Sequence, residues 1–247
     1  MINKIIKGDC LVVMKKIPDK KIDMILTDLP YGKTARNEWD IIIPLDKLWE
    51  EYKRIIKDNG VIALTSVEPF TSMLVMSNIK MFRYDLAWEK VVPTGHYNAK
   101  KMPLRNHESI LIFYKKVPMY NPQKIEGGLF HKNKIIHNTK SKNYQNPKLT
   151  YISNLDGKYY PRSIIGSFAP NKKKLHPTQK PLKLFEYLIE TYTKKNDIVL
   201  DSCIGSGTTA IACISLDRRY VGIEKVEEFV KMANLRIVYE LTKGKEK

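Results

Sequence analysis

Asp28-Leu29-Pro30-Tyr31 combines the residue types needed to activate a planar amino group. It directly follows an apolar run, Ile22 to Thr27, which reads as a buried strand. The ends of such strands open into the ligand crevice of a doubly wound sheet. The Asp28 carboxylate and the Leu29 carbonyl can both accept hydrogen bonds from one amino group. Pro30 stiffens the turn and brings no competing donor. Tyr31 offers a flat face on which a base can stack, a use that needs its ring and not its hydroxyl. An aromatic exocyclic amine is a poor nucleophile because its lone pair is delocalised into the ring. Two acceptors on its hydrogens favour a pyramidal nitrogen, which can attack an electrophile such as a sulfonium methyl. Stacking would hold the extruded base by roughly 1–3 kcal/mol. A plain surface turn is the competing reading of Asp-X-Pro-Tyr.

A second cluster is Asp201-Ser-Cys203-Ile-Gly205-Ser-Gly207-Thr208-Thr-Ala210. It lies between an expected strand, 197–201, and an expected helix, 207–216. Glycines there allow a tight turn and close approach of a ligand. The helix start offers unpaired amides. Glu224 ends the next strand, 219–224, where an acid can accept from both hydroxyls of an adenosine ribose. The loop fits a G-x-G-x-x-A dinucleotide pattern as well as an S-adenosylmethionine site. It is not a Walker loop, since no Gly-Lys-Ser/Thr follows.

The elements that must position these clusters alternate. Residues 45–57 carry apolar side chains at helical spacing, Asn59-Gly60 reads as a stop, and 61–65 as a strand. Residues 68–79 suit a helix, and 84–88 and 109–114 suit strands. After His176-Pro-Thr-Gln-Lys-Pro181 comes a helix with Leu182, Phe185, Leu188, Ile189 and Tyr192 on one face, and residues 226–241 form a last helix. Alternating strands and helices imply an α/β fold with a mostly parallel, twisted sheet.

Charge is the main compositional clue. The 247 residues hold 43 Lys and Arg against 26 Asp and Glu, a formal +17, which suits a polyanionic partner. Residues 115–174 concentrate it, with thirteen Lys or Arg against only Glu126 and Asp156. That stretch lacks a long hydrophobic period and reads as an irregular, basic, aromatic-bearing insertion. Cys10, Cys203 and Cys213 are too few for a disulfide framework and match no metal-site spacing, so they read as packing residues. No apolar run approaches the roughly 20 residues of a membrane span. The opening, Met1 to Asp9, is too short and too soon charged for a signal peptide. No membrane association and a cytoplasmic location are therefore expected.

The two clusters together resemble the amino-methylating DNA methyltransferases. That family carries an Asp/Asn/Ser-Pro-Pro-Tyr catalytic motif and a Gly-x-Gly cofactor loop. The order found in this sequence, catalytic motif, variable segment, cofactor motif, is similar to the family's beta group, whose variable segment recognises the target. Gly8-Asp9-Cys10-Leu11 resembles the motif that places an aspartate near the cofactor's adenine. His176-Pro-Thr178-Gln-Lys180-Pro resembles the one that closes around its methionine part. Trp88-Glu-Lys90 and Arg105-Asn-His-Glu108 stand where the family has active-site loops. Leu29 departs from the usual proline, where only a backbone carbonyl is needed. Cys203 stands where the family often has Phe.

The resemblance implies a Rossmann-like methyltransferase domain built from residues 1–114 and 175–247, with a target-recognition insertion at 115–174. It implies catalysis by Asp28, Leu29, Pro30 and Tyr31. It implies S-adenosylmethionine held by Asp9, His176, Thr178, Lys180, Asp201, Cys203, Gly205, Gly207, Thr208 and Glu224, with no metal. Double-stranded DNA is the expected partner, and a homodimer and a cognate restriction endonuclease are admitted. An aspartate-first motif is typical of the adenine enzymes. The alternatives are a cytosine amino-methyltransferase and an inert DNA-binding protein on the same fold.

Overall fold

The computed structural model describes residues 1–32, 40–126, 157–166, 168 and 179–243. These residues form strands β1 (Lys4–Lys7), β2 (Ile22–Asp28), β3 (Ile56–Ser66), β4 (Phe82–Thr94), β5 (Arg105–Phe113), β6 (Ile125–Glu126), β7 (Lys158–Tyr159), β8 (Ile164–Ile165), β9 (Ile198–Asp201) and β10 (Arg219–Glu224). The helices are α1 (Cys10–Met14), α2 (Leu45–Ile55), α3 (Phe70–Ser77), α4 (Leu182–Tyr192), α5 (Thr208–Ser215) and α6 (Glu227–Lys243). The chain divides into two compact units, residues 1–121 with 163–247, and residues 122–162.

The larger unit is built on an eight-stranded sheet in the order β1-β10-β9-β2-β3-β5-β4-β8. Every pairing is parallel except those of β5, which runs antiparallel to β3 and β4. Near-continuous apolar strands are what a sheet covered on both faces requires. Successive residues of each strand point to opposite faces, so the core is split in two. Ile25, Ile62, Leu64, Leu111, Phe113 and Leu200 pack with α1, α2 and α3. Met24, Leu26, Val61, Ala63, Ile110, Ile112 and Val199 pack with α4, α5 and α6.

The first long helix stops earlier than its periodicity predicts. Ile56 is already extended, with φ −74° and ψ 138°, so residues 56–60 belong to β3. The register against β2 slips there, from Ile22↔Ile56 to Met24↔Val61. Gly60 serves this irregularity rather than a helix end, since a Cβ on it would stand 2.8 Å from the Asp23 carbonyl. Lys57 closes the same corner with a 2.5 Å ion pair to Asp23. Strands β4 and β5 run further than expected, past the sheet to a hairpin whose Val91, Val92, Tyr97 and Met102 are exposed.

In the smaller unit β6 and β7 pair antiparallel, joined by an ion pair of 3.2 Å between Lys158 and Glu126. Among the described residues no helix is long and apolar enough to cross a membrane.

Candidate active site

The sheet order places the two sequence clusters side by side. From β9 the chain moves outward through β10, and from β2 it moves the other way through β3. Neighbouring β2 and β9 therefore flank a topological switch point, where doubly wound sheets bind ligands beyond their carboxyl ends. Asp28 ends β2 and Asp201 ends β9. A cavity of about 910 Å³ opens there, within the usual size of ligand pockets. Its lining includes Asp9, Asp28, Tyr31, Lys180, the loop 201–206 and Glu224.

One end of the cavity is a glycine cradle. Gly205 and Gly207 have φ of +50° and +83°, the left-handed region that side chains disfavour. A Cβ on Gly207 would press on Ala233 at 3.0 Å, whereas one on Gly205 would project into open space. Glu224, only 9% exposed, braces the cradle by accepting from Gly205 N at 3.0 Å and Val226 N at 2.9 Å. Burial pushes its carboxyl pKa up. Asp201 accepts from Cys203 N at 3.1 Å and from the Thr209 hydroxyl, and burial drives its pKa up to about 7. Asp9 caps α1 by accepting from Leu11 N at 2.8 Å, and Gly8 N bonds the Glu224 carbonyl at 2.9 Å. Cys203 and Cys10 both line the cavity. Thr208, buried at the start of α5, lines it as well.

The other end is an acceptor cluster. Asp28 Oδ1 accepts from the Tyr31 hydroxyl at 2.5 Å and from the Thr65 hydroxyl. Lys180 Nζ lies 3.1 Å from the same oxygen and 3.0 Å from Glu108 Oε2. Lys90 pairs with Glu108 Oε1 at 3.3 Å. Burial opposes the Lys180 charge, but Asp28, Tyr31 and Glu108 outweigh it and hold its pKa well above the ordinary lysine range. Glu108 is likewise held below the usual carboxylate range, because Lys180 and Lys90 overcome its burial. Burial, then the Asp28 charge, keeps the Tyr31 hydroxyl protonated. The Tyr31 ring leans on Phe70, with centroids 5.4 Å apart. Leu29 is buried and Pro30 half-buried, so the turn is rigidly seated.

Four residues depart from the sequence reading. Lys180, expected beside the cofactor, is drawn to the acceptor end because two carboxylates converge on it. The Tyr31 hydroxyl is engaged on Asp28, so the residue does more than offer a ring. Thr65 was missed: it pairs with Asp28 across β2 and β3, and sequence carries no mark of that long-range register. Arg236 was also missed, and its guanidinium bonds Ser206 in the glycine loop. His176 and Thr178 lie outside the described residues.

The residues present fit S-adenosylmethionine. A buried acid ends the strand beside the glycine cradle, a Cβ-sized space opens over Gly205, and carboxylates at both strand ends suit a cationic ligand. This sheet, with its single antiparallel strand and its cradle at the switch point, defines a Rossmann-like methyltransferase.

Comparison with known proteins gives the family. The DNA methylase profile of the N6/N4 class matches residues 22–235. The chain belongs to this N6/N4 DNA methylase family and is an S-adenosylmethionine-dependent DNA amino-methyltransferase. Type II methyltransferase M2.MboI of Moraxella bovis is 31% identical, over 96% of this chain and 88% of its own length. Type II methyltransferase M.HinfI of Haemophilus influenzae is 28% identical over 96% of this chain and 68% of its own. Among solved structures, the M1.HpyAVI–SAM complex is 26% identical with a TM-score of 0.63, covering 94% of this chain and 98% of that one. The PvuII cytosine-N4-specific methyltransferase shares the fold, with a TM-score of 0.68 at 15% identity, over 94% of this chain and 85% of that one.

Proposed function

We propose that the enzyme methylates the N6 amino group of adenine, extruded from double-stranded DNA into the cavity, as the modification half of a restriction-modification pair. The observation that carries this reading is the Asp28 carboxylate, which three donors fix at the end of β2. The aspartate-first motif supports adenine over cytosine. The Type II relatives support a cognate endonuclease. Exposed Lys100, Lys101 and Arg105, on the hairpin whose root lines the cavity, support a polyanionic duplex at the mouth. The basic stretch 115–174, with residues 122–162 as a unit of their own, supports a target-recognition role for that insertion.

In this mechanism Asp28 and the Leu29 carbonyl accept the two amino hydrogens and localise the nitrogen lone pair. Tyr31 and Pro30 seat the base. Asp9, Asp201, the Gly205–Gly207 cradle, Thr208 and Glu224 hold S-adenosylmethionine, and His176 and Thr178 extend that set. The bound cofactor supplies an electrophilic methyl. The nitrogen pair forms the new N–C bond while the S–C pair stays with sulfur. Asp28 stabilises the positive charge developing on nitrogen and takes the departing proton, which passes on to solvent. Fixed charge facing a developing charge is the large term in such sites.

The test is tritiated methyl transfer to unmethylated duplex DNA, with the product digested to nucleosides. Asp28→Ala should abolish transfer while cofactor binding persists, because the glycine cradle and Glu224 are untouched. Near-normal transfer by a folded variant overturns the mechanism. N4-methylcytosine in the wild-type digest would establish the second reading, which the PvuII fold neighbour keeps in view.

A further inference from the structure

Asp28 needs more than its place at a strand end. Its carboxylate must be ionised to meet the charge developing on the amino nitrogen and take its proton, and it must present an oxygen that is not already committed. The three donors on Asp28 converge on Oδ1: Tyr31, Thr65 and Lys180. Two of these are neutral and fix only direction. Lys180 is the cation, 8% exposed, and is itself anchored on Glu108 at 3.0 Å. Glu108 is in turn held by Lys90 at 3.3 Å. The row Lys90, Glu108, Lys180, Asp28 thus alternates in charge from β4 across β5 to β2.

We propose that Lys180 is a positioning residue for methyl transfer: anchored on Glu108, it occupies Asp28 Oδ1, leaves Oδ2 to the target amino group, and sets a fixed positive charge beside the carboxylate. This rests on Asp28 being the acceptor. The charged and titratable groups that bear on Asp28 are Lys180, Tyr31, Glu108 and Asp201, with Lys90 acting through Glu108. Removing the cation leaves Asp28 facing the Glu108 carboxylate, whose charge opposes its ionisation. Removing the Glu108 charge does the reverse, because the anion that competes for Lys180 and repels Asp28 is gone.

The discriminating measurement is the pH profile of kcat on unmethylated duplex DNA with saturating S-adenosylmethionine, beside cofactor binding by calorimetry. Lys180→Gln should lower kcat at neutral pH by about 100-fold through the loosened acceptor. It should move the acid limb upward by about one unit or more, with cofactor affinity near wild type. Lys180→Arg should restore the wild-type limb at reduced kcat. Glu108→Gln should move the limb downward, and it decides the question alone where Lys180→Gln does not fold. A packing role would lower kcat without moving the limb. Unmoved limbs in the folded variants, or cofactor affinity lost in step with kcat in Lys180→Gln, would overturn the proposal. Asp28→Ala run in parallel separates the two ideas. An inactive Asp28→Ala with unmoved Lys180 and Glu108 limbs rejects only the role of Lys180, and an active one rejects the acceptor itself.

Discussion

Asp201→Asn should make the protein more stable in mild alkali, although it removes a charged residue from the cofactor site. Asp201 is 3% exposed, and its two hydrogen bonds, from Cys203 N and the Thr209 hydroxyl, do not offset the cost of burying its charge. Its pKa rises from 3.8 to about 7 in the folded chain. Between those values the folded state holds a proton that the unfolded chain has released. Stability contributed by Asp201 is therefore complete below about pH 4, falls as pH rises, and is lost above about pH 7. A shift of about 3 units corresponds to a ceiling of roughly 4 kcal/mol. Relaxation and water entry on ionisation reduce that to about 2 kcal/mol. Asparagine keeps the shape, can still accept from Cys203 N, and cannot ionise. The two proteins should be nearly equal below about pH 4, and at pH 5 roughly a third of the difference should already be present. At pH 8 the variant should melt higher by about 4–8 °C for a chain of this size. Thermal melts of the cofactor-free protein across this range measure the difference, and the comparison cancels every other titrating group. Parallel pH dependence in the two proteins would refute the reasoning, as would a wild type that gains on the variant with rising pH.

Glu224→Ala should weaken S-adenosylmethionine binding about tenfold to 100-fold, the range for losing a charge-assisted bond; an unchanged Kd by calorimetry would remove Glu224 from the cofactor site. Tyr31→Phe should lower kcat roughly tenfold by freeing one of the three bonds on Asp28 Oδ1, and Tyr31→Ala should fall further as stacking is lost; equal activities for wild type and the Phe variant would leave the hydroxyl without a catalytic part.

Most of the frame was legible because it is local. The strand over 22–27, the helix after Pro181, and the strand and helix around the glycine loop each carry a short hydrophobic period that tertiary packing preserves. The failures lie where distant segments decide. The helix expected to reach Lys57 ends at Ile55, because residues 56–60 follow β2 and Lys57 pairs with Asp23. The short β1 and α1 are too brief to show a period. The site followed the same rule. Asp28, Gly205, Gly207 and Glu224 belong to contiguous motifs that announce themselves. Glu108 belongs to the Arg105–Glu108 motif and was marked by it, whereas Thr65 acts through strand pairing and Arg236 through a helix packed on the glycine loop, and neither is encoded nearby in sequence.

The switch point also explains how two motifs far apart in sequence share one cavity. The acceptor motif and the cofactor cradle are about 170 residues apart in sequence, yet they end adjacent strands, about 4.8 Å apart in any sheet. Their separation is set by backbone pairing of Met24 with Val199 and Ile25 with Leu200, not by either loop. Thr27 reinforces it, since its hydroxyl accepts from Ser202 N at 3.1 Å across the same pair of strands. Residues 122–162 form a compact unit of their own and contribute no strand to this sheet. The β2–β9 spacing, and with it the distance between Asp28 and the glycine cradle, is therefore set within the larger unit alone.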